Sequence, residues 1–242
     1  MKKIFASMII MFAALSAGAQ QFINSGMIEF EVRVNNHRMF GDGFFGEMFK
    51  DKMPNFSTTY YKLTFDDNKT IYKFDRLNER DKLPWNNYPE ENVWYNDFNS
   101  STRVNQKFVF DQTYILADSL MKMEWKLVPN ETREIAGFVC RKAQTIIFDS
   151  VYVFAFYTDE ITVSGGPMGI HGLPGMILGV TIPRMFTSWI ATKLQLNGVN
   201  TNIVVAPTKG KKKPANELRQ SIEQVSKNWG TWGRQSVWNI FL

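Results

Sequence analysis

Ile28-Glu29-Phe30-Glu31-Val32-Arg33-Val34 alternates apolar and charged residues without a break. Successive side chains of an extended chain point to opposite faces, so this is the mark of a half-buried strand. The same period recurs on both sides of it. Tyr61, Leu63 and Phe65 form a second strand, Asp66-Asp67-Asn68-Lys69 a turn, and Thr70 to Phe74 the return. Val93 to Phe98 and Val104 to Phe110 read as a hairpin across Asn99-Ser100-Ser101-Thr102. Met123, Trp125 and Leu127 alternate with Glu124, Lys126 and Val128, and Gly137 introduces a strand from Phe138 to Phe148. Val151 to Thr158 is apolar or aromatic on both faces, which predicts a central strand covered on both sides.

Further along, Ile190, Thr192, Leu194 and Leu196 lead into Asn197-Gly198, a pair that favours a type I′ turn. Ile203 to Ala206 is the expected return strand. One helix starts at Pro214 and Asn216, with Leu218, Ile222, Val225 and Trp229 at helical spacing and Gly230 as its stop. The apolar tail, Val237 to Leu242, is expected to dock as a last strand. Arg38 to Ser57, rich in Gly, Met and Phe, breaks the alternation and reads as a mobile or partly helical excursion. Leu77 to Glu91 is polar, contains Pro84 and Pro89, and reads as a loop. Sequential hairpins make an antiparallel sheet, and so many strands must twist and curl. The expected fold is therefore mainly β: a single curled antiparallel sheet with one C-terminal helix against its concave side.

The first residues have a different logic. Met1-Lys2-Lys3, an apolar run from Ile4 to Leu15, and Ser16-Ala17-Gly18-Ala19-Gln20 match the n-region, h-region and A-x-A site of a cleavable signal peptide. The run is shorter than the ~20 apolar residues that span a bilayer, and no Cys follows it to carry a lipid. Residues 1–19 are thus expected to be removed, leaving 20–242 as one β domain that is periplasmic or secreted and not membrane-spanning. The formal charge of +5 includes Lys2 and Lys3. The remaining excess gathers in Lys209, Lys211, Lys212 and Lys213, a solvated loop rather than the broad basic face that nucleic acid requires. With Cys140 as the lone cysteine, an intramolecular disulfide and a multi-cysteine zinc site are both excluded.

The most distinctive stretch is Gly165-Gly166-Pro167-Met168-Gly169-Ile170-His171-Gly172-Leu173-Pro174-Gly175-Met176-Ile177. Leu173-Pro174-Gly175-Met176 is a type II turn candidate, because proline sets φ at the second position and glycine takes positive φ at the third. Gly165-Gly166-Pro167 permits a second reversal. Gly172 to Ile177, with Met176 in place of a leucine, resembles the name motif of the GLPGLI family of exported proteins. Ser25 to Phe30, Ile135 to Ala143, and Tyr157 to Ile161 running into Gly166-Pro167 are similar to that family too. The resemblance implies a half-open β-barrel shaped like periplasmic lipoprotein carriers, and it implies no catalytic activity.

Chemistry-bearing groups are sparse. Asp66-Asp67, Glu90-Glu91 and Asp159-Glu160 are neighbours in sequence, so in a strand they point apart and form no dyad. No G-x-S-x-G, H-E-x-x-H or phosphate-cradling loop occurs. Cys140 reads as a buried small hydrophobe on the face of Phe138, Ile146 and Phe148. The functional expectation is an exported non-enzymatic protein of the cell envelope, without a cofactor, binding an apolar small molecule, a peptide or an envelope protein. Gly166, Pro167, Gly172, Leu173, Pro174 and Gly175 would shape the binding rim. The alternative is a copper or zinc handler using Cys140, Met168, His171 and Met176, since thiolate, thioether and imidazole suit such metals.

Overall fold

A computed structural model describes residues 23–41, 47–48, 51–81, 90–148, 150–229, 237–238 and 240–241. The signal peptide read in 1–19, the middle of the polar 77–91 loop and Gly230 lie outside them, as does the side chain of Trp229. The described chain forms a twelve-stranded sheet. Its strands are β1 (Gly26–Asn35), β2 (Phe56–Asp66), β3 (Lys69–Leu77), β4 (Val93–Asp97), β5 (Thr102–Val109), β6 (Gln112–Ser119), β7 (Lys126–Ile135), β8 (Phe138–Ile147), β9 (Val151–Thr158), β10 (Met176–Ile182), β11 (Thr187–Gln195) and β12 (Lys211–Lys212). Helices α1 (Asn36–Phe40) and α2 (Ala215–Ser226) accompany them.

The strand order is β12-β6-β5-β4-β3-β2-β1-β11-β10-β9-β8-β7. Two antiparallel meanders, β1 to β6 and β7 to β11, are therefore sewn together by the pairing of β1 with β11. The end strands do not pair with each other, so the sheet curls without closing. This is the mainly β, curled sheet with one C-terminal helix that the alternation indicates. One strand departs from it: β12 lies parallel to β6, Lys211 opposite Tyr114 and Lys212 opposite Ile115. Two of the four loop lysines thus form a short edge strand, with their side chains in solvent.

Alternation sets the inner face. Ile28 and Phe30 are fully buried there, with Leu63, Phe65, Tyr72 and Trp94 on the neighbouring strands. Tyr61 and Tyr72 stack at 5.0 Å, and Trp94 meets Tyr72 edge-on at 5.4 Å. Full burial of such side chains contributes about 1.5–3 kcal/mol each. On the outer face of β1, Glu29 is covered rather than solvated. Arg76 donates to its carboxylate at 2.8 Å and Thr192 at 3.1 Å.

Several sequence expectations need correction. Strand β6 gives no clean alternation because Ile115 and Leu116 are both buried, one on each face. Strand β7 begins at Lys126, and residues 120–125 are irregular. Strand β9 is fully covered on its inner face, where Val151, Val153, Ala155 and Tyr157 are buried, but only partly on its outer face, where Tyr152 is exposed, Phe154 and Phe156 are half-buried and Thr158 is buried. Ile203 to Ala206 forms no return strand, since both edges of β11 are already taken by β1 and β10. Instead this segment crosses the outer face, where Val204 packs with Ile71, Val93 and Tyr95. Of the excursion at 38–57, the described part holds α1 and the start of β2.

Helix α2 uses Leu218 and Ile222 against Val109 and Leu116 of the inner face. Its third inward position is Ser226, and Val225 is exposed. The described tail residues 237–238 and 240–241 are helical, not extended, and Val237 joins the same cluster. Arg219 of α2 lies over the Phe148 ring at 5.5 Å, so the helix reaches from β5–β6 toward the end of β8.

Candidate functional site

The Gly-Pro loop between β9 and β10 crosses the inner face and does not stand at its rim. Ile161, Val163, Met168, Ile170 and Leu173 belong to the main core. The loop's amides are spoken for: Met176 N donates to Ile161 O at 3.1 Å, and Ile177 N to Gly165 O at 2.8 Å. Because the Met176 amide is used in this way, it does not close a four-residue turn onto Leu173 O. Gly175 N donates to Leu173 O at 2.8 Å, the bond of a γ-turn centred on Pro174. Pro167 opens a 3₁₀ turn, closed by Ile170 N donating to Pro167 O at 3.1 Å.

Four of the six expected binding-loop residues, Gly166, Pro167, Leu173 and Gly175, are buried, while Gly172 and Pro174 reach solvent. A residue that sequence reasoning passed over holds the loop together. The Ser164 hydroxyl donates to Leu173 O at 2.7 Å and accepts from Gly172 N at 3.1 Å. From outside the loop, Asn96 donates to Gly169 O at 3.2 Å and the Trp125 indole to His171 O at 2.8 Å.

The four candidate metal ligands do not share one site. Met168 and His171 line a small cavity with Asn96, Arg103 and Asn105, and neither Cys140 nor Met176 lines it. Burial lowers the pKa of His171, and its Nδ1 is 2.8 Å from Gly169 O. Cys140 is fully buried, with its thiol toward Phe138 O at 3.5 Å, and burial pushes its pKa up to about 11. A thiol so placed is a poor ligand and a poor nucleophile at neutral pH. Its expected companion Ile146 is half exposed. That parity is the outer face of β8, and only its Cys140 end is covered. Among the described residues, no three His, Cys, Asp or Glu side chains gather to hold an ion.

A different constellation lies on the outer face of β8 and β9. Tyr152, Phe154 and Phe156 follow one another along β9, and the first two rings stack at 6.4 Å with 15° between their planes. Tyr152 is 49% exposed and its cross-strand neighbour Ile146 is 50% exposed. Lys142 sits over Phe154 at 5.4 Å and also pairs with Glu131 at 2.7 Å. Arg133 sits over Phe156 at 4.7 Å. Beside these rings runs an open groove of about 580 Å³, lined by Lys126, Gln144, Ile146, Tyr152 and the irregular 121–124 segment. The two-sided apolar content of β9 hid the fact that this face meets water.

The fold has solved counterparts. Two structures of PNGF-II, in the P21 and C2 space groups, superpose with TM-scores of 0.54 and 0.55 at 15% identity, covering 86% of this chain. The chain spans about a third of their length, 34% and 33% respectively. At that identity the likeness establishes the fold alone. No curated protein matches the chain. A family model, the N-terminal domain of the N-glycanase peptide, matches residues 61–213.

That match overturns two expectations. The GLPGLI resemblance, carried by Gly172 to Ile177 together with Ser25 to Phe30, Ile135 to Ala143 and Tyr157 to Ile161, gives way to the family whose model matches residues 61–213. The expectation of a protein outside enzyme families fails as well, because the matching family is defined on an N-glycanase. With well over half of its length inside the match, this chain belongs to the family of N-glycanase N-terminal domains.

Proposed function

We propose that the chain is a carbohydrate-engaging domain of an N-glycanase-type protein, acting on N-glycosylated polypeptides outside the cytoplasm. The family supports glycoprotein as the substrate class. The export signal read in residues 1–19 fits the compartment. The observation that carries the reading is the exposed Tyr152 ring, which lines an open groove and stacks on the half-buried Phe154. Single exposed apolar residues are ordinary, but a contiguous aromatic row beside a groove marks a recognition surface. Flat rings offer the C–H faces of pyranoses an apolar platform, while Gln144 and Lys126 present amide and ammonium donors to hydroxyls.

The test is calorimetric titration with an N-glycopeptide and with the same peptide after its glycan is removed. Only the glycosylated form should bind, and Tyr152→Ala with Phe154→Ala should abolish that binding while leaving the melting temperature within a few degrees. Equal binding of both peptides would sink the proposal.

A further inference from the structure

The outer face carries a longer feature than the platform. Strand register places Lys126, Gln144, Phe154, Thr181, Ser188 and Arg33 directly opposite one another across β7, β8, β9, β10, β11 and β1. At about 4.8 Å between strands, this line runs on the order of 24 Å over the sheet. Every member except Phe154 has a hydrogen-bonding or charged side chain. One end opens into the groove beside Tyr152. The other opens into a second depression of about 330 Å³, lined by Arg33, Asn35, Arg38, Phe56, Thr181 and Ser188 among others.

The two ends differ in charge. At the platform, Lys142 is already engaged by Glu131, Arg133 lies on the Phe156 ring, and Lys122 and Lys126 share the groove with the carboxylate of Glu124. At the far end, among the described residues, no Asp or Glu lines the depression. Arg33 lies over the Phe56 ring at 4.7 Å, a cation–π contact that steadies its guanidinium beside the depression. The nearest carboxylate on β1, Glu31, accepts from the Tyr60 hydroxyl at 3.3 Å. Two guanidiniums in an acid-free hollow, with hydroxyls at Thr181 and Ser188, form an electrostatic cradle for an anionic group.

We infer that this row is a track for an extended acidic oligosaccharide. Neutral rings lie on Tyr152 and Phe154, and a carboxylate, sulfate or phosphate on the sugar meets Arg33 and Arg38. The inference rests on the carbohydrate reading above and adds the length and charge of the ligand.

Its test is titration with a neutral biantennary N-glycan, its disialylated counterpart, and a phosphorylated high-mannose glycan beside its neutral parent. At least one acidic form should bind about tenfold more tightly than its neutral partner, with an advantage that shrinks in high salt. The form that gains more identifies the anion. The double exchange Arg33→Gln, Arg38→Gln should lower the acidic glycan's affinity to that of the neutral one. Its unfolding midpoint should match the parent protein, since both side chains are exposed. Equal affinity for neutral and acidic forms would overturn the inference and leave the carbohydrate reading standing. Failure of every glycan to bind would overturn both.

Discussion

Gly175 lies against the main chain of Thr158, so close that a β-carbon on it would stand 2.0 Å from the Thr158 carbonyl oxygen. The obstacle is backbone, which has no rotamer to escape into, and φ at Gly175 is +135°. The Gly-Pro loop can therefore descend onto the inner face only with glycine here. Gly175→Ala is expected to cost at least about 4 kcal/mol or to prevent folding. Gly137 offers the comparison: its φ is also positive, at +85°, but nothing lies within 4 Å of the missing β-carbon. Gly137→Ala should cost only about 1–2 kcal/mol. Urea denaturation of the two variants checks the contrast; similar losses in both would contradict it.

Tyr72 is 1% exposed, its ring stacks on Tyr61, and its hydroxyl has no hydrogen-bond partner. A buried polar group left unpaired costs about 1–3 kcal/mol, and replacing it by an apolar group of the same shape removes that cost. Tyr72→Phe should raise the unfolding free energy by about 1 kcal/mol. A loss of stability in chemical denaturation would mean that the hydroxyl is satisfied.

Cys140 gives a signature at high pH. Burial holds the native thiol protonated up to about pH 11, while in the unfolded chain it ionises near its ordinary value of about 8.5. The native state therefore retains a proton that the unfolded state loses. Stability should fall as pH rises through this interval, on the order of 3 kcal/mol in all. Cys140→Ala should flatten that decline. The same burial predicts that iodoacetamide labels the thiol only under unfolding conditions, as mass spectrometry would reveal.

Glu29 acts at the opposite end of the pH scale. The hydrogen bond from Arg76 is the main cause that holds its carboxyl below the ordinary range, against the opposing effect of burial. Its contribution is present above the usual glutamate range and is lost as pH falls through the lowered native value. Arg76 is 45% exposed, so solvent screens the pair and its worth is about 1 kcal/mol. Glu29→Gln should reduce stability at neutral pH by about that amount and narrow the difference between pH 7 and pH 3. A variant that keeps the full acid sensitivity would place its origin elsewhere.

The parts of this fold that were legible in sequence are those where one face meets water. Strand β1 alternates because Glu31 and Arg33 share it with the buried Phe30 and Val32. Where both faces are covered, period two disappears, and Ile115-Leu116 in β6 hid a strand for that reason. Val151 to Thr158 failed in the opposite sense: a partly exposed aromatic row, open at Tyr152, was read as covered because ring chemistry does not state whether a ring is packed or used. The Asn197-Gly198 turn was sound local chemistry, but whether a return strand follows depends on vacancies beside β11, which are set by β1 from 160 residues earlier. The track from Lys126 to Arg33 was beyond sequence reasoning altogether, since its members come from six strands and only register aligns them.

The seam between β1 and β11 has a consequence for how the chain reaches this state. Phe30 must meet Ala191, and Val32 must meet Trp189, across nearly the whole domain. Each meander forms from neighbouring hairpins at little entropic cost, whereas this closure is the contact of highest sequence separation and belongs late on the folding route. Until residues 160–175 emerge and settle, the early meander presents Tyr61, Tyr72 and Trp94 to its surroundings. A chain halted after β6 would thus carry a bare aromatic sheet, a sticky intermediate for which a chaperone, rather than a ligand, is the first partner.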